Sequence, residues 1–112
     1  MTVEREFSTV LITVPDRESA KKIARNVIEK KLAACVNIYP VESMYWWKNQ
    51  IEEATEFILL IKIRSQDFNR LKDFILKSHP YELPCIVRYE IAEGHKPYLD
   101  WIKESTAEHR EG

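Results

Sequence analysis

Glycine is almost missing from this chain of 112 residues; Gly94 is the only one before the terminal Gly112. That excludes the glycine-rich phosphate loops, since neither GxGxxG nor GxxxxGK[ST] can be written here. Cysteine is scarce too. Cys35 and Cys85 are too few for a secreted disulfide scaffold. No apolar run approaches the ~20 residues of a membrane-crossing helix. The start, Met1 to Glu6, is polar and lacks the apolar segment of a signal peptide. Excess charge of either sign is also absent. The formal net charge is -1, so neither the basic surplus of a nucleic-acid binder nor an acidic tail is present. No repeat, low-complexity tract or linker interrupts the chain. What remains is one domain over residues 1–112, 45% hydrophobic and 31% charged, ordinary for a globular protein that buries its own core. The expected compartment is the cytoplasm, with no membrane or nucleic-acid partner.

The chain does have a conspicuous aromatic run, Met44-Tyr45-Trp46-Trp47, followed at once by Lys48-Asn49-Gln50. Strand-like stretches flank it, about Cys35 to Trp47 and Glu53 to Arg64. This predicts the tip of one long hairpin, and two strands alone are marginal in water. Pro40 lacks a ladder donor, so the first of these strands should lie at an edge or carry a bulge. In the second, Phe57, Leu59, Ile61 and Ile63 fall on one face, and Ile58, Leu60, Lys62 and Arg64 on the other. Apolar residues on both faces from 57 to 61 predict cover on both sides.

Phe7 to Val14 is β-branched and apolar, a first strand ended by Pro15. Asp16 should cap a helix from Arg17 to about Leu32, with Ala20, Ile23, Ala24, Val27 and Ile28 as its apolar stripe. Ser65 should cap a second helix, about Gln66 to Ser78, ended before Pro80. Cys85 to Ile91 reads as a fourth strand. Pro97 fits a helix start, and the last helix runs from Tyr98 to about Thr106. The order βαββαβ plus a terminal helix defines an α+β, ferredoxin-like sandwich with an antiparallel sheet in spatial order 4-1-3-2. Two helices cover one face only. The other face, with the overlong hairpin, is expected to be bare and to bury against further copies of the chain.

Leu32-Ala33-Ala34-Cys35-Val36-Asn37, Tyr45-Trp46-Trp47-Lys48 with Ile51-Glu52, Lys62, and His79-Pro80-Tyr81-Glu82 with Pro84 resemble the signatures of the CutA divalent-ion tolerance family. Tyr98-Leu99-Asp100-Trp101 is similar to its last helix. The likeness covers about Phe7 to Ser105. It implies a cytoplasmic homotrimer of ferredoxin-like subunits, similar in architecture to the PII signalling proteins, with clefts between subunits and a link to copper and other divalent ions. It implies no enzymatic reaction. Described copper sites in the family use a Cys at the end of the first strand and a His-His pair. The corresponding positions here are Ile12 and Ser78, and only His79 matches.

The candidate metal ligands are His79, Glu82 and Cys35, for copper or zinc, with no obligatory cofactor. A neutral imidazole beside a carboxylate suits a borderline metal; a helix-terminating His bonding a carbonyl is the competing reading. Cys35 reads first as a small buried apolar residue and only second as a ligand. It should lie on the opposite sheet edge from Cys85, too far for a disulfide or a shared ion. Trp47, Lys62, Tyr81 and Glu82 are the candidates for a polar intersubunit cleft holding a small anion, the PII-like alternative. Against that stands a Lys62 that merely extends to water. Tyr45, Trp46 and Trp47 are expected at the trimer interface. His95 and His109 read as solvated. An RNA platform of this fold needs aromatics on its first and third strands, where Val10, Leu11, Leu59 and Leu60 stand instead. A metal-chaperone loop needs two cysteines within Thr13 to Arg17, which has none. No catalytic set of Ser, His and Asp or of Cys and His is visible.

Overall fold

The structure, a computed structural model, describes residues 5–107; His109 lies outside them. Four strands, β1 (Phe7–Val14), β2 (Cys35–Trp47), β3 (Gln50–Arg64) and β4 (Ile86–Glu90), form one antiparallel sheet in the order β2-β3-β1-β4. Helices α1 (Arg17–Glu29) and α2 (Phe68–Leu76) supply the crossovers, and α3 (Lys96–Ser105) closes the chain. This is the expected ferredoxin-like order, traced from the other edge.

The core forms where β1 and β3 alternate in phase. Val10, Ile12 and Val14 stand with Leu59, Ile61 and Ile63 beneath α1 and α2, all fully buried. Helix α1 adds Ala20, Ile23, Ala24 and Val27 from its stripe. It starts as expected, with the Asp16 carboxylate accepting from the Ser19 amide at 2.7 Å. It ends earlier than expected. The Lys31 amide bonds the Ile28 carbonyl and the Leu32 amide bonds the Val27 carbonyl, with Lys31 at φ 62°. That is a Schellman stop, built on a lysine where glycine is usual.

Ser65 does not cap α2. It belongs to a 3-10 turn, Ser65–Asp67, and its Oγ sits 2.6 Å from Ser8 Oγ in the buried layer. The tertiary partner takes the hydroxyl that a cap would use. Helix α2 therefore begins at Phe68, and no side chain caps it.

The hairpin is longer than the sequence suggests. Strands β2 and β3 pair without a bulge from Cys35–Lys62 to Trp47–Gln50. Pro40 is accommodated because β2 is an edge strand and bonds β3 alone. Lys48 and Asn49 make a two-residue turn, both with positive φ, as a type I′ connection demands.

The face away from α1 and α2 is not bare. Helix α3 lies against β3 there; Arg64 Nη2 donates to the Thr106 carbonyl at 3.0 Å, and Ile102 is buried outside the main cluster. Beyond that cover, Tyr39, Val87 and Tyr89 remain exposed.

Candidate functional site

The loop after α2 folds back over the end of β1 and fixes His79. Its ring lies between two backbone groups. The Tyr81 amide donates to Nδ1 at 3.0 Å, and Nε2 lies 2.9 Å from the Thr13 carbonyl. A carbonyl only accepts, so Nε2 carries the proton and the ring is neutral. Burial lowers the His79 pKa, and the Thr13 bond opposes it more weakly. Both nitrogens are therefore occupied. A metal reaches this ring only by displacing a backbone partner.

With its folded-state pKa below 6.5, His79 takes up its proton later than it would in the unfolded chain. The neutral ring contributes fully above pH 6.5, and the contribution is lost as pH falls from there through the folded-state value. An NMR titration is expected to place the His79 ring below 6.5. A value at or above it would show that the ring is not held as described.

Tyr81 continues the same loop and reaches across to β3. Its hydroxyl donates to Glu56 Oε2 at 2.6 Å. Glu56 is only 6% exposed, although it stands on the half-open side of β3. The phenol is pushed above its usual range, first by burial and then by Glu56, so it stays protonated and donates. Cys85 is exposed as a residue, but burial of its thiol, and then Glu56, raise its pKa. It remains a thiol and a poor metal ligand.

These groups line a groove of about 790 Å³ between the hairpin tip and the α2–β4 loop. Tyr45, Trp47 and Glu52 of the hairpin, with Glu56, Tyr81 and Glu82, form its walls. Trp47, Tyr81 and Glu82 thus meet as the sequence suggests. Lys62 does not join them within one subunit. It pairs with Cys35 at the opposite end of β3, and Gln50, the partner of Trp47, lies roughly 40 Å along the strand at the usual rise. Its ammonium donates to Asn37 Oδ1 at 2.7 Å, so it does not extend freely to water, and it supplies no cation to the groove of its own subunit. Cys35, half-buried beside it, stands on β2, two strands over from Thr13 of β1, the backbone partner of His79. Among the described residues no three His, Cys, Asp or Glu side chains converge on a metal position. Glu56 is the site residue that the sequence reading missed. The signal was its alternation: it shares a strand face with Ile58 and Leu60.

This is a ferredoxin-like protein whose distinguishing parts are an extended hairpin and an aromatic, acidic groove beneath its tip. Residues 8–105 match the family described as CutA1 divalent ion tolerance protein, and the chain belongs to that family. It is 47% identical over 96 residues to the divalent-cation tolerance protein CutA of Archaeoglobus fulgidus, covering 86% of this chain and 94% of that one. A solved structure of the periplasmic divalent cation tolerance protein CutA from the same organism superposes with a TM-score of 0.89 at 44% identity, over 90% of this chain and 99% of that one. The divalent cation tolerance protein of Thermus thermophilus gives 0.87 at 45% identity, over 90% and 99%. None of these names states a reaction. No described helix is long and apolar enough to cross a membrane.

Proposed function

We propose that this chain serves tolerance of divalent ions as a cytoplasmic homotrimer and catalyses no reaction. The observation supporting the assembly is the hairpin tip. Trp46 is 73% exposed, Met44 68% and Ile51 59%. By strand alternation these three share one face, with Trp46 directly opposite Ile51. A contiguous apolar face on an arm held away from its own core marks a protein interface, and Tyr45 and Trp47 flank it. The names of the relatives support the ion-tolerance part.

Direct contact with copper or zinc is weak in this reading. His79 would have to leave one backbone bond, with Glu82 as the carboxylate nearby in sequence and Cys35 on β2, two strands over from the Thr13 carbonyl that holds the ring. Calorimetric titration with both metals should give small heats for the wild type and smaller ones for His79→Gln. Equal heats would remove His79 from the site. Deleting the gene in its host should lower growth at raised copper or zinc, and unchanged growth with every ion tried would refute the tolerance role.

A further inference from the structure

The helix layer carries a second, smaller cavity that takes in no residue of the hairpin. It measures about 130 Å³ and lies between Ser19, Lys22, Ile23 and Asn26 of α1 and Ser78 and Pro80 of the loop after α2. Ser19, Lys22 and Asn26 follow one another at three and four residues, so a single face of α1 presents all three. Ile23 between them is buried in the core, which fixes that face toward the loop. A lysine, two hydroxyls and a carboxamide thus converge on one small space.

Their bonding capacity is unspent. Among the described residues, none of these four side chains makes a hydrogen bond or an ion pair. Glu18, one turn before Lys22, does not bridge it. The backbone groups are committed elsewhere: the Ser19 amide bonds the Asp16 carboxylate, and the Ser78 amide the Ile75 carbonyl.

The chemistry of a guest follows from the lining. It holds no Asp, Glu, His or Cys, the side chains that divalent metals take as ligands. The surrounding charge is positive. From Arg17 to Lys31 six basic residues stand against two acidic ones, in a chain whose net charge is -1. The carboxyl end of α2, which alone would repel an anion, carries Lys77 as its cap residue. Hydroxyls and a carboxamide can all donate, and a lysine holds a phosphate as a point charge. The volume is well below the ~300 Å³ at which pockets for drug-sized ligands begin, so it admits one compact group and no nucleotide.

We propose that this cavity binds a tetrahedral oxyanion, inorganic phosphate or the phosphoryl end of a small phosphomonoester, with Lys22 as the charge and Ser19, Asn26 and Ser78 as donors. All of these residues belong to one chain. The site rests neither on the trimer nor on the ion-tolerance role.

The test is an NMR titration of the wild-type protein with sodium phosphate, with glycerol 3-phosphate, and with sodium chloride at matched ionic strength. Phosphate should give saturating shifts at the amides of Ser19, Lys22, Asn26 and Ser78, and chloride should not. Tighter binding of inorganic phosphate assigns the site to the free ion; tighter binding of glycerol 3-phosphate assigns it to a phosphomonoester. Lys22→Gln should weaken the phosphate about tenfold and Ser78→Ala by less. Lys21→Gln, which removes a neighbouring exposed cation outside the lining, should leave it nearly unchanged. Equal shifts in chloride, shifts that never saturate, an unchanged affinity in Lys22→Gln, or equal losses in Lys21→Gln and Lys22→Gln would each overturn the proposal. Both lysines are exposed on α1, so their substitution does not endanger the fold.

Discussion

Replacing Trp46 and Ile51 together by alanine should turn the assembled protein into single 13.3 kDa chains in light scattering. The two residues are direct cross-strand neighbours near the tip of β2 and β3. Each is more than half exposed within its own subunit. Truncating them therefore removes little from the subunit's own core, and exposed substitutions away from special features usually cost within about 0.5 kcal/mol. The same truncation at a packed interface is far larger. A buried tryptophan anchor is worth about 2–4 kcal/mol, and in the proposed homotrimer cyclic symmetry would repeat that loss at all three contacts. The expected signature is loss of mass with retained secondary structure. A wild-type protein that is already monomeric, or a double variant that keeps both its mass and its melting temperature, would refute this use of the hairpin.

The contrast between what could and could not be read in advance lies in the range of the interactions. Strand β3 was legible because burial forces a two-residue period, and Leu59, Ile61 and Ile63 keep it without exception. Pro40 left β2 as either an edge strand or a bulged one, and the sheet takes the first. The start of α1 was legible because Asp16 and Ser19 are three residues apart and settle the cap locally. Its end was not, since a Schellman stop normally announces itself by glycine and here uses Lys31. Ser65 misled for a related reason. A serine before an apolar period is a sound cap signal, but Ser8, 57 positions away, took the hydroxyl.

The groove shows the same limit more sharply. Trp47, Tyr81 and Glu82 were recognised as cleft residues by resemblance, and the α2–β4 loop does bring them together. Lys62 was expected to meet them across a subunit boundary; within its own chain it stands at the far end of β3 from the tip. Glu56 was overlooked because a glutamate in a strand ordinarily faces water. Tyr81 returns across to donate to it, a contact nothing local announces.

Leu59→Ala should be the most damaging single truncation in the fold, and Leu60→Ala, one residue on, should cost much less. Leu59 is fully buried in the central pair of strands, opposite Ile12 on β1 and Ile38 on β2. It contributes to the cluster beneath α1 and α2. Removing its isobutyl group loses the transfer free energy and leaves a cavity that two helices and a sheet cannot close, about 2–5 kcal/mol. For a chain of this size that lowers the melting temperature by roughly 10 °C or more. Leu60 points to the other side of the sheet, next to Asn37 and Leu11, and is only half-buried. Its truncation should cost about 1 kcal/mol in the separated subunit, because less area leaves water on folding. The excess over that value in the assembled protein measures how much a neighbour covers the open face. Urea unfolding of both variants, in the wild-type background and in the Trp46→Ala, Ile51→Ala background, would read this directly. Equal losses for Leu59 and Leu60 in the separated subunit would mean that the sheet is covered on both faces within one chain, and the open-face account would then fail.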